Sequence, residues 1–243
     1  MSWKSYLFPQ TILITSSAYN RHIRVNEEWG KMKLLVDGSS QSGAYIKKLW
    51  KKALRHFSVI CHREPSEAGR GDPYNINIIK IASPAKPDRN DIKNALIFGI
   101  GGGTVISLFH DVFPHVDQTC VDIDKVIIDI AKEYFSIGQI PNIILIEVDA
   151  QKYVQQLVKE KKMYDCIVVD LFSGPHVPEF VRDERFLRSL RGILTKDGCV
   201  LINYLREREY KKKSDKLYTS LQNVFGQVKD FPIACNRFFY AKH

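Results

Sequence analysis

Four glycines within five residues, in the stretch ALIFGIGGGTVISLF from residue 95 to 109, constrain this chain more than any other feature. The apolar run ahead of them reads as a buried strand, and the apolar spacing behind them reads as a helix. Gly99, Gly101, Gly102 and Gly103 therefore form a strand-to-helix turn stripped of side chains. Glycine serves where the backbone takes a left-handed conformation or where another group must come close to it. A strand that feeds a helix has to return through a crossover, so this turn predicts a parallel sheet.

The rhythm repeats to the end of the chain. Strands NALIFGI, DQTCVDID, NIILIEVD, YDCIVVDLF and GCVLINYL alternate with helical patterns from 104 to 112, in KVIIDIAKEYF, in AQKYVQQLVKEKK and in PEFVRDERFLRSLRGIL. A lysine-rich helix to about Val224 and two short strands, QVKDFPIA and NRFFYAKH, close the chain as an antiparallel hairpin. The expected fold class is α/β: a seven-stranded, mostly parallel Rossmann-like sheet with a C-terminal hairpin. Ahead of it, TILITSS, HIRVNEE and KMKLLVDG, broken at YN and WG, predict a small antiparallel β-meander, and GAYIKKLWKKALRHFSVI has the apolar spacing of an amphipathic helix. Prolines and glycines then break the pattern, with INIIKIA as the one strand-like run among them. The expected organisation is a meander and helix over 1–62, a linker and candidate lid over 63–91, and the sheet domain over 92–243.

Composition excludes more than it selects. No run of about 18 apolar residues spans a membrane, and MSWKSYLFPQ lacks the apolar core of a secretory signal. The five cysteines are widely spaced with no C-x-x-C pair. They read as reduced core residues of a cytoplasmic protein without a metal site. The net charge of +9 admits nucleic acid as a partner. However, the lysines gather in KKLWKK and YKKKSDK without interleaved aromatics, which favours solvated helix faces over a nucleic-acid surface.

In an open α/β sheet, ligands sit beyond the carboxyl ends of the strands. The first parallel strand here ends on the glycine turn and the next three on Asp122, Asp149 and Asp170. A bare turn at a helix start accepts a close ligand. Asp122, 23 residues after Gly99, suits ribose hydroxyls. Asp149, just before Ala150, suits an adenine amino group. Thr104 stands where a dinucleotide fingerprint wants a third small residue, so a mononucleoside fits better than NAD. His176, in SGPHVPEF beside Asp170, is a second candidate base. Tyr19, Tyr45 and Tyr204 are candidates for lining an acceptor pocket.

From about Thr11 onward the chain resembles the spermidine synthase-like branch of the class I S-adenosylmethionine-dependent methyltransferase fold, through LLVDGSSQS, GIGGGT, VDID, VDA and YDCIVVDLFSG. The resemblance implies that Gln41 contacts an adenosyl-sulfonium donor and that Gly99 to Gly103 hold its tail. Asp122 with Ile123 would hold its ribose, and Asp149 with Ala150 its adenine. Asp170 would accept a proton from the acceptor amine, with Tyr45, Ser173 and Tyr204 at the acceptor pocket. It also implies a homodimer. The family's acidic residue within the glycine turn is Gly102 here, its second aspartate is Ser173, and its acidic stretch after the glutamine is missing. Buried polycations need paired carboxylates, so these losses favour methyl transfer from ordinary S-adenosylmethionine to a small-molecule acceptor. The alternatives are aminopropyl transfer from the decarboxylated donor to putrescine and, behind it, nucleic-acid methylation. The N-methyltransferase signature of Asn or Asp, two prolines and an aromatic is replaced by DLFSGP.

Overall fold

A computed structural model describes residues 3–6, 8–62, 92–207 and 209–243. The expected lid over 63–91, with its strand, lies outside those residues. The chain first builds a small antiparallel sheet from β1 (Gln10–Thr15), β2 (Ile23–Glu28), β3 (Lys31–Val36) and the two-residue β4 (Ser39–Ser40), in that order. Trp29 and Gly30, both at positive φ, make the tight turn between β2 and β3. Helix α1 (Ala44–His62) follows.

The large sheet then forms from β5 (Asn94–Phe98), β6 (Asp117–Asp122), β7 (Ile143–Glu147), β8 (Tyr164–Val169), β9 (Leu194–Leu205), β10 (Gln227–Ile233) and β11 (Asn236–Lys242). Between them run α2 (Thr104–Val112), α3 (Lys125–Phe135), α4 (Ala150–Glu160), α5 (Glu184–Gly192) and α6 (Tyr210–Val224). The strand order is β10-β11-β9-β8-β5-β6-β7, with β9, β8, β5, β6 and β7 parallel and the β10–β11 hairpin antiparallel. The chain winds outward from β5 to β7, then crosses back to place β8 on the other side of β5. That reversal is the switch point where such sheets open a crevice.

Alternation along the strands divides the core. Ala95 and Ile97 of β5 pack with Leu49, Trp50 and Phe57 of α1 and with α2 on one face. Leu96 and Phe98 pack with α4, α5 and α6 on the other. The apolar stripe of α1 thus covers the large sheet rather than the meander. The small sheet instead sets Ile23, Val25, Leu34 and Val36 against Ile127 and Ile130 of α3. Asp124 fixes this junction. It caps α3 by accepting from the Val126 amide at 3.0 Å, and its second oxygen accepts from Ser17 and from Asn20 of the β1–β2 loop. Cys120, Cys166 and Cys199 are buried free thiols, as expected of core residues. Cys235 departs from that expectation: it sits in the exposed turn between β10 and β11, where the short hairpin leaves no layer to cover it.

Candidate functional site

A cavity of about 260 Å³ opens at the switch point, between the carboxyl ends of β5, β6, β7 and β8 and the edge of the small sheet. Gly99, Gly101, Asp122, Ile123, Asp149, Ala150, Asp170 and Ser173 line it, as does Gln41 from the small sheet. The four strand ends that the sequence singles out therefore share one space, as alternation and a common strand direction require.

The glycines divide between two duties. Gly99 adopts φ +93, and a Cβ there would collide with the carbonyl of Asp170, because β5 and β8 run side by side and the Asp170 amide donates to Phe98 at 2.8 Å. Gly101, at φ +50, lines the cavity, and an added Cβ would come into van der Waals contact with the Gln41 carbonyl oxygen, 3.5 Å away. Gly102 and Gly103 lie outside the cavity lining. A side chain on Gly102 would run into Ser42 and Phe135, and one on Gly103 into Ile137. Their bareness lets the small-sheet segment and the turn after α3 close over α2, so both positions serve packing and neither lines the cavity to which the sequence assigns them.

Each carboxylate already has a structural duty. Asp122 accepts from the Ile100 amide at 2.9 Å and the Asp124 amide at 3.0 Å, stapling the glycine turn to the end of β6. Burial pushes its pKa up against those hydrogen bonds. Each carboxylate oxygen can accept again, and the cavity is where a further donor would come from. Asp149 caps α4 through one oxygen, accepting from the Lys152 amide at 2.9 Å. Asp170 is held differently. Asn203 of β9 donates to it at 2.8 Å, Asn236 of β11 donates to Asn203 at 2.8 Å, and the Trp50 indole N–H also reaches it. Burial outweighs these bonds and lifts its pKa to about 6. Beyond Asp170 the wall turns apolar with Leu171, Phe172, Pro178 and Phe180.

Gln41 donates to the Gly174 carbonyl at 2.9 Å, so it ties the small sheet to the loop after β8. Ser173 and His176 exchange two backbone hydrogen bonds and close that loop into a tight turn. His176 faces away from the cavity, with its Nδ1 2.7 Å from the Tyr210 hydroxyl. Tyr45 is exposed and lies beside Cys235 and Glu207. Tyr204 is fully buried on the α6 face of the sheet, edge-on to Tyr210. None of the three lines the cavity. Alternation along β9 is the reason for Tyr204: Ile202 and Tyr204 face α6, and the residue between them, Asn203, faces Asp170. An asparagine inside the apolar run GCVLINYL was the available signal, since a buried amide needs a partner. Tyr19, by contrast, does line the cavity, together with Asn20. Among the described residues no group of His, Cys, Asp and Glu could hold a metal.

Residues 74–239 match the spermine/spermidine synthase domain. A polyamine aminopropyltransferase of Vibrio vulnificus is 30% identical over 71% of this chain, which spans about half (55%) of that protein's length. Human methyltransferase-like protein 13 in complex with SAH superposes with a TM-score of 0.56 at 26% identity, over 62% of this chain and 72% of that one. A spermidine synthase in complex with the transition state analogue AdoDATO gives 0.66 at 17% identity, over 96% of this chain and 72% of that one.

Proposed function

This chain belongs to the spermine/spermidine synthase domain family, and we propose that it transfers a methyl group from S-adenosylmethionine to an amine carried on a small, largely apolar acceptor. The observation that carries this reading is Asp170: a half-buried carboxylate beside the glycine turn, its pKa lifted to about 6, with an apolar wall on its other side.

The donor supplies a sulfonium whose adjacent carbon is attacked in line, and a neutral thioether leaves, so no acid is required of the protein. The residues present fit such a molecule. Gly101 lines the cavity with bare backbone, Asp122 keeps acceptor capacity for ribose hydroxyls, and the free oxygen of Asp149 suits an adenine amino group. Ile123 and Ala150 flank those carboxylates. What remains for the chain is to bring the amine into line and remove its proton. An alkylamine of pKa about 10.4 is mostly protonated at neutral pH, and freeing its lone pair costs about 4–5 kcal/mol. Asp170, ionised above about pH 6, orients the amine and accepts the proton.

Donor choice falls to Gln41 and Thr104 rather than to Gly102, which faces Ser42. Both are neutral, so neither repels the carboxylate of ordinary S-adenosylmethionine or pairs with an aminopropyl ammonium. Acceptor choice follows from Asp170 standing against the apolar wall while the other lining carboxylates, Asp122, Asp124 and Asp149, are held by backbone amides, since a polyamine buried there would leave charges unpaired. Aminopropyl transfer is the second reading, favoured by the similarity to the Vibrio enzyme. Incubating the protein with either donor and a panel of amines, with mass detection, separates the two. We expect a methylated monoamine with the ordinary donor. Aminopropylated putrescine would establish the second reading, and binding of both donors without any product would remove both.

A further inference from the structure

On the far side of the glycine turn lies a second concavity, an open groove of about 740 Å³ lined by Lys31, Lys47, Lys48, Lys51, Lys52 and Arg55. It meets the donor cavity at Thr104, which lines both. Among the described residues, no carboxylate lines it. Among the described residues, none of the six cations is in an ion pair. Helix α1, which supplies five of them, has no acidic residue anywhere in its length. All five are exposed, while Leu49, Trp50, Ala53 and Leu54 between them are buried in the large sheet. Two of them act on the neighbouring His56, whose pKa is lowered by burial and then by Arg55 and Lys52.

A solvated helix face ordinarily mixes signs, because i,i+4 pairs of opposite charge stabilise it and like pairs cost it. Here 47/51, 48/52 and 51/55 are all like pairs, an arrangement that gains only when an anion arrives. We infer that this groove binds the phosphate backbone of a nucleic-acid duplex without reading its sequence.

Three features select that occupant. The cations do not converge on one point but run along about 12 Å of helix from residue 47 to 55, which matches a linear array of charge rather than a single phosphate. The hydroxyl-bearing Thr104 and Ser107 complete the wall with side chains of a kind that contact phosphate oxygens. Among the described residues the one aromatic in the wall is Phe135, itself half-buried, so they offer no stacking platform for unpaired bases.

The test is fluorescence anisotropy of a labelled DNA duplex of about 20 base pairs with the full chain, between about 50 and 200 mM KCl. Engagement of the five helix cations predicts log K against log salt with a slope of about −4.5. Lys48→Glu with Lys52→Glu should weaken binding at least tenfold at about 100 mM salt and flatten the slope by about 2. Lys211→Glu with Lys212→Glu, the same charge change on the exposed face of α6, should leave both nearly unchanged. Circular dichroism confirms that each variant is folded. Equal weakening by the two double variants would reduce the effect to net charge and overturn the proposal. So would tighter binding of poly-glutamate than of the duplex, or no binding at the lowest salt.

Discussion

Asp170 concentrates the tension between stability and chemistry in one side chain. Its pKa in the folded chain, about 6, lies above the ordinary carboxylate value of 3.8, so between those values the folded state holds a proton that the unfolded state has released. Stability is therefore greatest below about pH 4 as far as this group is concerned, and is lost as pH rises through about 6. The loss amounts to about 3 kcal/mol once the group is ionised. Asp170→Asn, neutral throughout, is expected to melt higher than the native chain at pH 7.5, with the difference fading by about pH 4, while abolishing turnover and leaving donor affinity within about tenfold. A variant that keeps full activity removes the base role. Asn203 acts through Asp170: its N–H stabilises the ionised form. Asn203→Leu should raise the pKa of the carboxylate further, moving the acid limb of kcat to higher pH and lowering activity more at pH 6 than at pH 8. A uniform loss across that range would make Asn203 merely structural.

At the scale of elements, the site is made of strand-to-helix turns whose carboxylates each serve two ends. Asp124 caps α3 and also holds Ser17 and Asn20, and the neighbouring Tyr19 and Asn20 form one wall of the cavity. Asp124→Ala removes a cap and two hydrogen bonds to a charged group, a cost of about 3 kcal/mol. It should also weaken donor binding by releasing the β1–β2 loop. Asp149 allows the two effects to be separated. Asparagine is as good a cap as aspartate, so Asp149→Asn should change stability by less than about 1 kcal/mol in chemical denaturation. Its calorimetric donor affinity should fall by tenfold or more if the second oxygen meets the adenine amino group.

At the scale of the whole molecule, the cavity belongs to neither sheet alone. Gln41 and Val36 come from the small sheet, Asp122, Asp149 and Asp170 from the large one, and the Gln41–Gly174 hydrogen bond crosses between them. A ligand that fills this space couples both halves, and binding to the folded state alone stabilises by about 2.7 kcal/mol at a hundred times Kd. For a chain of this size each kcal/mol moves Tm by roughly 2–4 °C. Saturating S-adenosylmethionine should therefore raise Tm by about 5–10 °C in a single transition. Two transitions, with only one shifted, would show that the donor sits on the large sheet alone.

Periodicity and punctuation determined much of this from the sequence alone. The strand–helix rhythm, the glycine turn and an aspartate at each of the next three strand ends all depend on residues near one another in the chain, and alternation on a parallel sheet sends those ends to one edge. The resemblance through GIGGGT, VDID and VDLFSG led to the same family. What only the tertiary structure decided is which side chains meet across elements. Whether Gly102 faces a ligand or Ser42, and whether Asn203 or Tyr204 reaches Asp170, depends on which face of a strand or turn the packing buries. The same holds for the lysines of α1, which line a groove only because the other side of that helix is pressed onto the large sheet. Contacts of that kind join residues far apart in the chain, and no local pattern carries them.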